Sequence, residues 1–147
     1  MTAIIGRVLE LKKLEKLTQS TQAEFLAVYG RRRIGKTFLI SEFFKDKGLY
    51  FELTGALNSS KSEQLKRFAI EFGDRFCCGI KPLPPTSWDD AFDLLRRQIE
   101  TRGNSQKVIL FFDELPWLAS KKSGFLEALN YCWNRHLSRH PQVILII

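Results

Sequence analysis

The stretch VYGRRRIGKTFLI, residues 28–40, decides the fold that this chain is expected to adopt. It matches the pattern G-x-x-x-x-G-K-[ST], in which a glycine, four variable residues and Gly-Lys-Thr follow one another. The apolar run at residues 25–29 predicts a buried strand before the loop, and the apolar positions from Thr37 to about Lys47 predict a helix after it. A glycine-rich loop therefore connects a strand to a helix.

Each residue type in this loop has a chemical reason for its position. Gly30 and Gly35 permit backbone angles and close approaches that a side chain would block. The loop amides and the positive end of the following helix form a nest for an anion. Lys36 is expected to reach the β- and γ-phosphates of a nucleotide, and the Thr37 hydroxyl to ligate Mg²⁺. The candidate nucleotide-binding residues of the loop are Gly30, Arg31, Arg32, Arg33, Ile34, Gly35, Lys36, Thr37 and Phe38. The three arginines are either solvated charges or contacts to a phosphate or a partner surface.

A second motif, VILFFDE at residues 108–114, ends an apolar strand with two acidic residues. A phosphate loop needs a carboxylate that positions Mg²⁺ at the end of a nearby strand, and Asp113 has that position. Glu114 follows it, where a carboxylate can polarise the water that attacks the γ-phosphate. We expect Thr37 and Asp113 to hold Mg²⁺, and Lys36 and Glu114 to be the catalytic residues. The alternative is a solvated acidic turn, which is common after strands.

Strands and helices alternate along the rest of the chain. Further strands are predicted at residues 49–53, 108–112 and 143–147. The central strands are apolar throughout, which is typical of a parallel sheet with helices on both faces. Ligands of such sheets bind beyond the carboxyl ends of the strands, where both motifs fall. The predicted fold class is α/β, a three-layer P-loop NTPase core with a mostly parallel sheet.

The helices of this fold have recognisable starts. Ser60 and Glu63 have the spacing of a capping box, and Ser87 and Ser123 are expected to begin two further helices. A turn is predicted around Pro116.

Composition limits the classes of function. A length of 147 residues suits one domain, and a hydrophobic content of 44% is enough for a core. No apolar run approaches the length of a membrane span, and no signal peptide is recognised. The three cysteines have no CxxC spacing and suggest reduced thiols. Together these features lead us to expect a cytoplasmic protein. The net charge of +7 permits nucleic acid as a partner, but the basic residues are spread along the chain. Pairs such as Lys121–Lys122 and Arg135/Arg139 either contact nucleic acid or another partner, or are solvated.

Three motifs in this order resemble the prokaryotic AAA-type ATPases of the archaeal ATPase family, in the STAND branch related to AAA+ proteins. The motifs are IIGRVLELKKL, VYGRRRIGKT and VILFFDELPWL, and the resemblance covers nearly the whole chain. The family's first motif reads F-x-G-R-E-x-E-L-x-x-L, so the resemblance implies that Arg7 lies by the nucleotide, although Val8 replaces the first glutamate. It also implies the family's roles for Gly30, Gly35, Lys36, Thr37, Asp113 and Glu114.

The resemblance carries expectations about organisation. It implies one incomplete ATPase domain over residues 1–147, with an N-terminal helical segment at 1–24 and a P-loop core at 25–147. The family's strand order is 5-1-4-3-2, so a core truncated after its fourth strand would have the P-loop strand at an edge. The family's polar sensor residue and helical lid would then lie beyond Ile147.

The expected function is that of a Mg-ATP-binding ATPase core that hydrolyses ATP in the intact protein. Guanine-specific GTPases carry Asn-Lys-x-Asp, which does not occur here, while the preference for adenine is implied by the resemblance. The alternative is a nucleotide-dependent switch or scaffold with little turnover, acting on DNA or on a protein partner, and a homo-oligomer is possible in either case. A third reading is a degenerate fragment that does not bind nucleotide.

Overall fold

The computed structural model describes residues 8–28 and 35–147. Across these residues four strands form one all-parallel sheet in the order β1-β4-β3-β2. The strands are β1 Glu24–Leu26, β2 Gly48–Thr54, β3 Lys107–Asp113 and β4 Val143–Ile146. The α/β fold class is confirmed, and β1, the strand before the glycine-rich loop, lies at one edge of this sheet as the family order implied.

The helices of the described residues return the chain between parallel strands. They are α1 Val8–Gln19, α2 Lys36–Phe44, α3 Lys61–Phe76, α4 Trp88–Thr101, α5 Leu115–Leu118 and α6 Phe125–Arg135, and a 3₁₀ turn at Leu137–Arg139 follows the last one. The predicted caps are present: the backbone N–H groups of Glu63 and Asp90 donate to the hydroxyl oxygens of Ser60 and Ser87, each at 3.1 Å. Among these helices none has both the length and the apolar content that crossing a bilayer would take.

The sheet has an apolar core on each face, which makes the three predicted layers. Alternate residues of β3 point to opposite faces because the side-chain period of a strand is two. Ile109 and Phe111 pack with α1 and α2, whereas Leu110 and Phe112 pack with α3, α4 and α6. All four side chains are fully buried, which explains why the strand is apolar throughout.

Local boundaries differ from the expectations in three places. The predicted turn around Pro116 is the short helix α5, in which proline is tolerated because the first turn of a helix needs no N–H donor from it. Helix α6 begins at Phe125 instead of Ser123; the Phe125 side chain is buried, and that of Leu126, the next residue, is 48% exposed. Helix α2 ends at Phe44, before the expected end at about Lys47, and Gly48 is already the first residue of β2.

Candidate functional site

The carboxyl end of β3 meets the amino end of α2, and three predicted site residues come together there. The Thr37 hydroxyl donates to Oδ2 of Asp113, 76 residues further along the chain. The Lys36 Nζ atom lies 3.6 Å from Oδ1 of the same carboxylate. Asp113 is almost fully buried, at 3% exposure, so its charge depends on these partners for compensation. The structure therefore joins the two sequence motifs at one carboxylate.

The amino end of α2 gives this site a positive electrostatic character. Gly35 precedes the helix in the left-handed conformation, with φ of 80°, and its carbonyl accepts from the Leu39 N–H at 2.8 Å. Within the described residues no side chain caps this helix and no acidic residue occupies its first turn. The first N–H groups of an α-helix have no partner inside it, and the helix dipole makes this end attractive to anions. Phe38, on the same turn, is 51% exposed.

Several of the predicted residues fall outside the described parts of the chain. These are Arg7, Gly30, Arg31, Arg32, Arg33 and Ile34.

Glu114 lies directly after β3 with an uncommon backbone conformation. Its φ of 55° and ψ of 50° are left-handed, which costs a non-glycine residue about 1–3 kcal/mol and persists only where the surroundings hold it. Here its N–H donates to Oδ1 of Asp113 at 2.9 Å, and its carbonyl accepts from the Trp117 N–H at 3.0 Å. Gly55 packs against the same peptide, since a Cβ there would lie 2.7 Å from the Glu114 carbonyl oxygen.

Gln64, which is not among the residues predicted from the sequence, supports this segment from α3. Its side chain is 3% exposed. Its Oε1 accepts from the Ala56 N–H at 3.1 Å, and its Nε2 donates to the Trp117 carbonyl at 2.6 Å. Gln64 therefore ties the loop after β2 to α5, which begins directly after Glu114. A polar residue on the otherwise apolar stripe of α3, beside Leu65 and Phe68, is the signal that could have found it.

A polar cleft of about 320 Å³ is lined by residues of α2, β2 and α3, among them Glu52. Tyr50 donates to Oε1 of Glu52 at 2.5 Å inside it. Burial raises the pKa of Glu52, the hydrogen bond from Tyr50 lowers it, and the charge of Asp113 raises it further, with a net upward shift. Burial likewise raises the pKa of the Tyr50 phenol. The remaining charged residues of the cleft come from α3 and are Arg67, Glu71 and Arg75.

The cleft, too, lay outside the sequence predictions. Glu52 is the one acidic residue in the strand sequence GLYFELT, and a carboxylate in an apolar strand is the signal that marks it.

The oxygen atoms of Thr37 and Asp113 are ligands that fit a hard divalent cation. A hydroxyl and a carboxylate supply oxygen ligands, which Mg²⁺ prefers, and Mg²⁺ in nucleotide sites takes one or two protein ligands together with phosphate and water. The described residues contain no group of three or more His, Cys, Asp or Glu side chains that could form a protein cage for a metal. A divalent cation held here would take a hydroxyl and a carboxylate from the described residues and its remaining ligands from elsewhere.

Comparison with known proteins identifies the family. Residues 4–147 match the model of an ATPase domain found predominantly in Archaea. The chain belongs to this ATPase family. The match extends over both motifs that meet at Asp113.

Two curated relatives, both from Methanocaldococcus jannaschii, are similar to this ATPase domain. One, named as an uncharacterised protein, is 25% identical over 146 residues, which cover 97% of this chain and 29% of that protein. The other, named as an uncharacterised ATP-binding protein, is 42% identical over 43 residues, which cover 29% of this chain and 73% of that protein. The chain thus spans less than a third of the length of the first relative.

Proposed function

We propose that this chain is the nucleotide-binding core of an AAA/STAND-type ATPase, which binds Mg-ATP and hydrolyses it in the intact protein. The observation that carries the proposal is the meeting of Lys36 and Thr37 with Asp113 across 76 residues, in a chain that belongs to an ATPase family. The second relative is named as an ATP-binding protein, which is consistent with this assignment.

The roles follow from charge and position. Lys36, the residues 30–37 and the first turn of α2 bind the phosphates, because an ammonium group and inward-pointing amides complement their negative charge. Phe38, on the same turn, is next to the bound nucleotide, and Arg7 contacts it from the N-terminal segment. Glu114 accepts a proton from the attacking water, and Gly55 and Gln64 hold its backbone in place.

Thr37 and Asp113 are the residues that would hold Mg²⁺, and when bound the cation neutralises charge on the β- and γ-phosphates. The hydrogen bond between them brings the two metal-ligating oxygen atoms together before a ligand binds. The Lys36 ammonium lies beside Asp113 in this structure. A change of side-chain rotamer would move it from the carboxylate to a phosphate oxygen of the nucleotide.

The proposed organisation has a P-loop core at residues 25–147 and an N-terminal helical segment at residues 1–24.

Turnover in the whole protein needs groups that stabilise the transition state, and an arginine supplied for this purpose raises the rate of related enzymes by about 10³-fold or more. A protein that binds ATP and barely hydrolyses it, yet changes its affinity for a partner, would be a switch instead of an enzyme with fast turnover.

The test compares ATP binding and hydrolysis by this chain with those of Lys36→Ala and Glu114→Gln. At nucleotide concentrations about 100 times Kd, binding should raise the Tm of the wild type by roughly 5–10 °C. Lys36→Ala should lose this shift because the phosphates lose their cation. Glu114→Gln should keep it, and any hydrolysis should fall by about 100-fold or more because a general base is lost.

Two matched variants control for charge and stability. Lys45→Ala removes a lysine from the other end of α2, where it pairs with Glu42 at 3.0 Å, and Glu127→Gln removes an exposed carboxylate from α6. Both should bind ATP like the wild type. Equal binding and hydrolysis in Lys36→Ala, Glu114→Gln and the wild type would refute the site assignment.

A further inference from the structure

A basic cleft of about 350 Å³ lies at the amino-terminal edge of the sheet. One wall comes from Glu100 at the end of α4 and Asn104 in the loop after it, and the other from the end of α6 and the 3₁₀ turn. The strands are parallel and Asp113 ends β3, whereas this cleft is formed just before β4 begins at Val143. It is therefore at the edge opposite to the proposed nucleotide site, and that function does not account for it.

The two walls of the cleft are joined by hydrogen bonds. The Gln142 Nε2 atom donates to the Asn104 carbonyl at 3.1 Å, across 38 residues of sequence. The Gln142 N–H donates to Nδ1 of His140 at 3.3 Å, and the Val143 N–H donates to the His140 carbonyl at 3.2 Å. The basic segment after α6 is thus fixed to the loop after α4.

The charge of the cleft is positive because its acidic neighbours are already paired. Glu100 accepts from Arg96 at 2.9 Å. Asp93 pairs with Arg96 at 2.6 Å and with the exposed Arg97 at 3.0 Å, and the hydrogen bond from Arg96 lowers the pKa of Asp93.

In contrast, the arginines that line the cleft carry uncompensated charge. Arg135 and Arg139 are exposed, and neither forms an ion pair with any residue in the described parts of the chain. His136 and His140, both half-buried, line the same cleft and add ring N–H donors.

An exposed aromatic ring completes this surface. Tyr131 is 62% exposed and precedes Arg135 by one helical turn, so both lie on the same side of α6. Its ring stands edge-on to that of His136, with the centroids 6.4 Å apart. Two arginines, two imidazoles and an exposed tyrosine thus occur side by side.

We propose that this surface, Tyr131 together with the cleft of Arg135 and Arg139, binds single-stranded nucleic acid. The arginines contact successive phosphates, and Tyr131 stacks on an unpaired base. Single strands are favoured over duplexes because only unpaired bases can turn their faces to a tyrosine on a helix surface. The net charge of +7 on the whole chain supports association with a polyanion.

Fluorescence anisotropy of a labelled oligothymidylate or oligouridylate, titrated with the 147-residue chain in the absence of ATP, tests the proposal. The first variant combines Arg135→Gln and Arg139→Gln. Tyr131→Ala removes the stacking ring, and Tyr131→Phe retains it. The matched control combines Lys121→Gln and Lys122→Gln, which removes the same charge from an exposed loop at the other end of α6.

The two arginine substitutions should weaken binding and reduce the salt dependence. Two lost phosphate contacts lower the slope of log K against log salt by about 1.4, so the wild type should lose about sevenfold more affinity than the variant between about 50 and 200 mM salt. Tyr131→Ala should weaken binding at least about fivefold, whereas Tyr131→Phe, which keeps the ring, should bind with the affinity of the wild type. The lysine control should bind like the wild type, and Tm should be unchanged in all variants because every substituted side chain is exposed.

Four results would overturn the proposal. The first is no binding of either oligonucleotide by the wild type at low salt, and the second is equal weakening of binding in the lysine control. The third is tighter binding of a duplex than of the single strand, with no effect of Tyr131→Ala. The fourth is full competition by polyglutamate, which would indicate an acidic protein partner instead. Since no nucleotide is present, failure of the ATP-binding assay leaves this test unaffected.

Discussion

At the scale of single residues, the distinctive feature is a buried carboxylate with several partners. Asp113 accepts from the Thr37 hydroxyl and the Glu114 N–H and lies 3.6 Å from the Lys36 ammonium. A carboxylate with 3% exposure would be costly without such partners. Glu52, in the cleft between β2 and α3, accepts from the neutral Tyr50, and no cation among residues 8–28 and 35–147 forms an ion pair with it.

The raised pKa of Glu52 predicts a pH-dependent stability. The folded state holds the Glu52 proton to a higher pH than the unfolded chain does. Stability therefore falls as pH rises from the unfolded pKa through the folded pKa, and the penalty is complete above the folded value. Glu52→Gln should make the protein more stable than the wild type near pH 7, and the difference should vanish near pH 4, as measured by urea unfolding at both values.

A matched substitution separates this effect from general loss of negative charge. Glu63→Gln removes a carboxylate from the exposed first turn of α3 and should not stabilise the protein near pH 7. An equal gain in both variants, or a gain by Glu52→Gln that persists at pH 4, would contradict the assignment.

At the scale of elements, the amino ends of the helices differ. Helices α3 and α4 have serine caps and acidic residues in their first turns, so their own sequence satisfies their positive ends. Helix α2 has neither within the described residues. Its positive end is thus left for an anion, which agrees with the phosphate-binding role proposed for it.

The cap of α3 can be tested directly. The Ser60 hydroxyl accepts from the Glu63 N–H at 3.1 Å and donates to the Glu63 carboxylate at 3.2 Å. Ser60→Ala should lower the free energy of unfolding by about 1 kcal/mol, because an orphan helical N–H loses its partner. Ser105→Ala, in an exposed loop, should leave it unchanged in the same denaturation series. A loss equal to that of the control would mean that water replaces the cap at no cost.

At the scale of the whole molecule, the sheet separates two cores of unequal size. The larger core, between the sheet and α3, α4 and α6, contains a network of aromatic rings. Phe125 lies at its centre, with ring centroids 4.9 Å from Trp88, 5.4 Å from Phe92 and 5.5 Å from Phe112. Because Phe112 precedes Asp113, this core also fixes the end of β3 where the proposed site is formed.

Removing the central ring should therefore destabilise the fold strongly. Phe125→Ala should cost about 3–5 kcal/mol of unfolding free energy, from lost burial and from the cavity that remains. Leu126→Ala is the matched control, since its side chain is 48% exposed, and it should cost much less. Similar losses in the two variants, measured by urea unfolding, would contradict the observed orientation of α6.

Much of the fold was predictable because its signals are local. Apolar runs marked the strands, serine spacing marked the starts of α3 and α4, and the glycine-rich loop together with the acidic pair marked the edge of the sheet where they meet. The phase of α6 was not predictable, since Phe125 and Leu126 are both apolar and only packing against Trp88 decides which is buried. The helical conformation after Glu114 was missed because proline suggests a turn as readily as a first helical turn.

The sequence by itself determined the chemical groups of the proposed site, Lys36, Thr37, Asp113 and Glu114, and the parallel sheet at whose carboxyl edge they meet. Spacing and residue type encode these features within short segments. Only the tertiary structure decided that Gln64 and Gly55 support the segment around Glu114, that Glu52 lines a polar cleft between β2 and α3, and that Tyr131 adjoins the basic cleft of Arg135 and Arg139. These relations join residues on different elements, and they arise from how the helices pack on the sheet, which no local pattern records.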